Sequence, residues 1–255
     1  MEFLDVCERA ARAAGAELLS WQGRVKVREK GPCDPVTEAD LAAQEAARAV
    51  LAGAFPEHDF LSEEEPHGRL ADDRYRWILD PLDGTQNYVH GLPLYGVSLA
   101  LEHGGSLLAG CVFNPVLDRC YTAAAGAGAF CNGTRLRTTE VVEAGQALVA
   151  VSLPPRVARE SLELANAIEL ATVTQGIRRF GSSALNLCFV AEGSLDAFVA
   201  AETCVWDIAA GVLLVQEAGG TVTGLDGQPI DLARPRIVAA ATAGLNVQLR
   251  ARLRH

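Results

Sequence analysis

The run Trp77-Ile78-Leu79-Asp80-Pro81-Leu82-Asp83-Gly84-Thr85 decides how this chain is read. Its apolar opening makes a buried strand, and Pro81, which fixes φ and lacks a donor, is expected to end that strand. A turn there carries Asp80, the Leu82 carbonyl and Asp83 toward one centre, all of them hard oxygen donors of the kind Mg²⁺ prefers. Gly84 permits close backbone approach, and the amides of Gly84 and Thr85 stand where a helix start holds a phosphate oxygen. An ordinary Asp-Gly turn with a helix cap would use the same residues. The flanking Trp77 and Asn87-Tyr88-Val89-His90-Gly91 favour the site.

Other segments place acids at the ends of predicted elements. Thr37-Glu38-Ala39-Asp40 has the spacing of a capping box before an apolar helix. The functional alternative is that Asp40 takes a proton from Thr85 while Thr85 draws one from water. Glu63-Glu64-Glu65 follows Phe60-Leu61 and reads either as surface charge or as a ligand loop, with Glu63 nearest the strand end. Asp207 is expected to cap a helix running to Ala218, which Gly219-Gly220 terminates, and a cap leaves one carboxylate oxygen for a metal.

Around these acids, Phe3, Cys7, Ala10, Ala14 and Leu18 stand at helical spacing and predict an amphipathic helix ending near Trp21. A second helix is expected from about Glu38 to Leu51. Short strands follow at Asp59 to Leu61 and Arg76 to Leu79. Val97 to Leu101 and Leu107 to Phe113 form a hairpin turned by His103-Gly104-Gly105, with further strands at Cys120 to Ala124 and Ala129 to Thr138. Gly126-Ala127-Gly128 lacks the third glycine of a nucleotide loop and reads as a hairpin.

From about Val141 strands alternate with helices. The strands are Leu148 to Leu153, Ile177 to Phe180, Ala197 to Ala200, Thr221 to Thr223 and Ile237 to Ala240. The helices are Arg156 to Ala171, Ser183 to Ala191, Asp207 to Ala218 and Thr242 to Leu253. That alternation predicts an α/β fold. Residues 1–140, carrying most of the acids, and residues 141–255, carrying Asp207, are expected to form one unit.

Of the 255 residues, 49% are hydrophobic and 21% charged, enough apolar surface for a substantial core. The net charge of −10 argues against a nucleic-acid or anionic-membrane surface, and metal cations would have to supply positive charge for an anionic substrate. Met1 to Ser20 interleaves apolar residues with Glu2, Asp5, Glu8, Arg9, Arg12 and Glu17, a pattern at odds with a secretory leader, so a cytoplasmic location is expected. Seven cysteines without close paired spacing read as small buried thiols, Cys204 included. His90 reads as a helix-end residue.

These motifs resemble the inositol monophosphatase family. The stretch from Trp77 to Gly91 is similar to its first signature, and Trp206-Asp207-Ile208-Ala209-Ala210-Gly211, continuing to Glu217-Ala218-Gly219-Gly220, to its second. Asp34 to Asp40, Gly128 to Gly133 and Arg179-Phe180-Gly181-Ser182-Ser183-Ala184 extend the likeness over nearly the whole chain. The resemblance implies a layered αβαβα fold of the inositol monophosphatase/fructose-1,6-bisphosphatase type, a homodimer, two or three Mg²⁺ ions and lithium sensitivity.

The implied ligands are Glu63, Asp80 and the Leu82 carbonyl for one metal, Asp80, Asp83 and Asp207 for a second, and Glu63 for a third. Thr85, hydrogen-bonded to Asp40, would activate water, with Glu63 also in the catalytic set. Asp83, Gly84, Thr85, Ser183, Ala200 and Asp207 would contact substrate. A haloacid-dehalogenase reading fails because two residues separate Asp80 from Asp83 where that family needs one.

Two positions depart from the pattern. Ser62 replaces a common glycine before the glutamates, and Ala200 replaces a glutamate that contacts the inositol ring in inositol-preferring members. The expected activity is hydrolysis of a small polyol or sugar monophosphate, inositol 1-phosphate first. The alternatives are fructose 1,6-bisphosphate, histidinol phosphate, adenosine 3',5'-bisphosphate or NADP. A reading of another class is a binding partner in RNA polymerase antitermination.

Overall fold

Apolar side chains at alternate strand positions point to opposite faces of a sheet, so a strand apolar on both parities needs cover on both sides. The computed structural model describes residues 2–24, 28–31, 34–65, 73–154 and 156–254, and its strands are of this kind.

In chain order the elements begin with α1 (Glu2–Trp21), β1 (Arg28–Gly31), β2 (Asp34–Val36), α2 (Glu38–Ala54), β3 (Asp59–Ser62), β4 (Arg76–Asp83) and α3 (Thr85–Val89). There follow β5 (Gly96–His103), β6 (Ser106–Asn114), β7 (Arg119–Ala124), β8 (Gly128–Cys131), β9 (Thr134–Arg135) and β10 (Leu148–Val151). The chain closes with α4 (Leu162–Val173), β11 (Gly176–Arg178), α5 (Ser183–Ala191), β12 (Ala197–Ala200), α6 (Val205–Glu217), β13 (Thr221–Thr223), β14 (Ile237–Ala240) and α7 (Ala243–Arg250).

β3 to β9 make a seven-stranded sheet in sequence order, parallel only between β3 and β4. The second sheet has five strands in the order β11-β10-β12-β14-β13. Trp77, Leu79, Val97, Leu99 and Cys111 face α1 and α2, while Ile78, Ala100, Val112 and Tyr121 face α5 and α6. Ala150, Phe198, Ile237 and Ala239 of the second sheet pack against those same two helices, and the opposite parity, Val149, Val199 and Val238, packs under α4 and α7. The result is the expected αβαβα layering. Each fully buried side chain such as Ile78 or Leu79 contributes about 1.5–3 kcal/mol.

Several boundaries differ from expectation. Pro81 does not end its strand: β4 runs on to Asp83, and its pairing with β5 slips between Asp80↔Ser98 and Asp83↔Gly96. The bulge leaves Pro81 where no ladder donor is required. α4 starts at Leu162, later than expected, because the Ser161 hydroxyl accepts from the Leu164 amide at 3.2 Å and caps it. The region Ala129 to Thr138, with its turn dipeptide Asn132-Gly133, folds as two short strands, β8 and β9, around that turn, and the pairing ends at Arg135. β10 ends at Val151, β11 covers Gly176–Arg178, and α7 ends at Arg250. Cys204 is exposed rather than a core thiol; the other described cysteines are buried. Cys33 lies outside the described residues. Among the described residues no helix is long and apolar enough to cross a membrane.

Candidate active site

β3 and β4 end side by side, and their parallel pairing carries past the last ladder residue, where the Glu63 amide donates to the Leu79 carbonyl at 3.2 Å. That bond fixes Glu63 at the rim of the acidic pair on β4. Ser62, buried just before it, donates its hydroxyl to Gln44 of α2 and anchors the loop. Glu65 is turned away, receiving Gln44 at 3.1 Å and pairing with Arg48 at 2.6 Å.

Asp80 lies on the Ile78 side of the sheet and accepts from the Leu82 amide at 2.9 Å. Burial raises its pKa well above the usual carboxylate range, and the charges of Glu63, Asp83 and Asp207 add to the effect. Asp83 is bound by the start of α5: it accepts from the Ser182 hydroxyl at 2.6 Å and from the amides of Ser183 and Ala184 at 3.3 and 2.7 Å. These bonds oppose burial and the charge of Asp207, which together push Asp83 up to about 7.

Asp207 is not the cap residue expected. α6 begins at Val205 with Cys204 at the cap, and Asp207 at the third helical position accepts from the Cys204 amide at 3.1 Å and the Thr203 hydroxyl at 2.9 Å. Burial raises its pKa as well, opposed by the bonds from the Cys204 amide and the Thr203 hydroxyl.

Gly84 has φ +95°, and a Cβ there would stand 2.9 Å from the Leu94 carbonyl. Only glycine fits between β4 and α3. The close approach it permits is thus to Leu94. Thr85 donates its hydroxyl to the Leu82 carbonyl at 3.0 Å, not to Asp40 as the sequence reading had it. Asp40 accepts from the Thr37 amide at 2.8 Å and the Thr37 hydroxyl at 2.6 Å, completing the capping box of α2. It is buried, and burial raises its pKa to about 6.

Glu63, Asp80, Leu82, Asp83, Gly84, Thr85, Ser183 and Asp207 therefore line one cleft of about 500 Å³. Asp40 does not line it. Ala200, the last residue of β12, is fully buried in the core between the sheets, and the structure does not bring it to the cleft. His90 ends α3 and is exposed.

Three residues escaped the sequence reading. Ser182 caps α5 and holds Asp83 across the fold. Asn87 donates to the carbonyls of Leu94 and Phe180 at 2.6 and 2.7 Å and so ties the α3 loop to the segment before α5. Asn186 lines the cleft one turn into α5. A serine before an apolar run was a readable cap signal; the other two carry none.

The donor set is oxygen throughout. No histidine, cysteine or lysine lines the cleft among the described residues, and Arg179 is its one basic lining residue. The carboxylates do not form a ready-made cage: among the described residues no three carboxylate, thiol or imidazole side chains already converge on a metal position. They do share a buried, uncompensated negative field, which the raised pKa values of Asp80, Asp83 and Asp207 report. A hard divalent cation fits both the chemistry and the missing charge.

The sequence profile of the inositol monophosphatase family matches residues 1–255. An inositol-1-monophosphatase of Mesorhizobium japonicum is 41% identical over 244 residues, covering 92% of this chain and 90% of that protein. A Nus factor SuhB of Pseudomonas aeruginosa is 40% identical over 250 residues, covering 94% and 91%. Among solved structures, the extragenic suppressor protein SuhB of Bartonella henselae superimposes with a TM-score of 0.92 at 35% identity, covering 100% of this chain and 99% of that one. An IMPase/NADP phosphatase complexed with Mg²⁺ and phosphate gives 0.84 at 25% identity, covering 94% and 90%.

Proposed function

The chain belongs to the inositol monophosphatase family, and we propose that it is a Mg²⁺-dependent phosphomonoesterase acting on a small polyol or sugar monophosphate, with inositol 1-phosphate the first compound to test. The observation that carries this reading is the gathering of Glu63, Asp80, Asp83 and Asp207 in one cleft with Arg179 as its sole basic lining residue among the described residues. Those four acids and the Leu82 carbonyl would hold Mg²⁺. Bound there, the cation supplies the positive charge that a phosphate dianion needs and the acidic floor lacks.

The chain's own groups do the positioning. Asp83, Gly84, Thr85 and Ser183 border the place where the phosphate would lie, and Asp83 is fixed there by α5. Thr85 donates to Leu82 and keeps its lone pairs for a water proton. The relay implied by the family resemblance asks Thr85 to turn its hydroxyl to Asp40. With a pKa of about 6, Asp40 suits receiving a proton near neutral pH. A homodimer, lithium inhibition and a cytoplasmic location belong to the same proposal and rest on the resemblance and the sequence.

The test is phosphate release from inositol 1-phosphate, fructose 1,6-bisphosphate, histidinol phosphate, adenosine 3',5'-bisphosphate and NADP, with Mg²⁺ and with chelator. Mg²⁺-dependent turnover of a monophosphate is expected, and metal-independent turnover sinks the reading. A relative called a Nus factor favours a second reading, a partner of RNA polymerase. Copurification with polymerase and no turnover on the panel would support it.

A further inference from the structure

Asp80 and Asp207 reach the cleft from different layers, one from the seven-stranded sheet and the other from the first turn of α6. A cation shared by two carboxylates needs a fixed spacing between them, so whatever joins the sheet to the start of α6 sets that spacing. The bonds from Thr203 and Cys204 orient Asp207 within its own turn but do not join the turn to the sheet.

Ser98 makes that join. It is the β5 residue paired with Asp80, at the last regular pair before the register slips toward Asp83↔Gly96. Strand alternation puts it on the Ala100 face of β5, toward α6, where it is 1% exposed. Its hydroxyl donates to the Trp206 carbonyl at 2.9 Å. Ser98 thus stands one strand away from Asp80, and its acceptor is one residue away from Asp207.

The rest of α6 is held elsewhere. Glu217 at its far end accepts from the amides of Gly126 and Gly128, both at 2.7 Å. Between the ends, a Cβ on Gly110 of β6 would stand 3.1 Å from the Ala210 Cα, so helix and sheet meet backbone to backbone there. Loss of the Ser98 hydroxyl therefore frees the first turn and leaves the helix in place.

We infer that Ser98 is a positioning residue: through the Trp206 carbonyl it sets the spacing of Asp207 from Asp80 and thereby the affinity of the cleft for Mg²⁺. This rests on the Mg²⁺ part of the proposed function and adds to it the residue that spaces two of the ligands. A buried hydroxyl that only satisfied itself would cost stability alike with and without the cation.

The test compares the wild type with Ser98→Ala and with Thr138→Val. The second variant removes another hydroxyl-to-carbonyl bond, to Ala241 at 3.0 Å, at a residue that does not line the cleft. Mg²⁺ is titrated without substrate, by calorimetry and by the rise in melting temperature it causes. Ser98→Ala is expected to bind Mg²⁺ at least about fivefold more weakly and to gain less melting temperature from it, while Thr138→Val keeps the wild-type affinity. A smaller loss in Ser98→Ala, or an equal loss in Thr138→Val, overturns the inference.

Should Ser98→Ala not fold, the near-isosteric Ser98→Cys, a weaker donor, is held to a loss of at least about twofold in the same titration. A wild type that binds Mg²⁺ but hydrolyses no ester of the panel defeats the phosphatase reading, and Ser98 is still judged by affinity. A wild type that binds no Mg²⁺ overturns both.

Discussion

The floor and the wall of the cleft are built on opposite plans. On the floor every aspartate is tied down: Asp80 by the Leu82 amide, Asp83 by three donors of α5, Asp207 by Thr203 and Cys204. On the wall Arg179 donates, among the described residues, only to the Leu153 carbonyl at 3.2 Å, and the buried Asn186 Oδ1 has no partner among them. Fixed carboxylates hold a charge in one place, as a reaction needing a preorganised field requires. Open donors and acceptors leave the choice of ligand to whatever completes them. The floor is the fixed part of the cleft, and the wall is the less constrained part.

The floor is broken most directly by Asp83→Asn. An amide there presents its Nδ2 to donors that need an acceptor and removes a charge from the site. Turnover should fall on the order of a thousandfold on every ester in the panel, with the ranking of esters preserved. A changed ranking with little loss of rate would erase the distinction between floor and wall.

A smaller effect sharpens where the floor stops. Burial raises the folded pKa of Asp40 from the ordinary carboxylate value of about 4 to about 6, so the native state binds the extra proton and this group's stability contribution is lost as pH rises between those values. The loss amounts to about 3 kcal/mol. In metal-free protein the melting temperature of Asp40→Asn, relative to wild type, should therefore climb by about 5 °C or more from pH 4 to pH 7. A flat difference would show that Asp40 is solvated. The smallest effect is expected at Glu65, which belongs to the same acidic run as Glu63 but faces Arg48 at the surface. Glu65→Gln should change turnover by less than about twofold and stability by less than about 1 kcal/mol. A loss comparable to that of Asp83→Asn would place Glu65 on the floor.

Much of this was legible in the chain. α5, β12, β13 and β14 fall where periodicity put them: α5 and β13 lie between glycine, serine or acidic residues, β12 between Asp196 and Glu202, and β14 between Arg236 and Thr242. Pro81 misled because a proline's effect on a strand depends on whether the pairing register slips beside it, and the slip between Asp80 and Asp83 of β4 shows only in the pairing with β5. Asp207 was misplaced within its turn because a third-position acid and a cap acid look alike in one dimension. The Thr85–Asp40 bond and the role given to Ala200 came by resemblance. The hydroxyl of Thr85 has a closer carbonyl, and the methyl of Ala200 sits in the core. Asn186 could not be singled out at all, since an asparagine in a helix becomes informative only when its partners can be counted.

The bonds from α5 to Asp83 span about a hundred positions of sequence, which has a consequence for synthesis. As the chain leaves the ribosome, Glu63, Asp80 and Asp83 emerge long before the serine and amides that hold Asp83, and before Asp207. Until α5 and α6 dock, Asp80 has its Leu82 amide but Asp83 lacks its three donors and Asp207 is absent. The last third of the protein thus completes the cleft, and it also covers the Ile78 face of that sheet, so a chain cut before α5 is expected to lack both the site and half of the core around it.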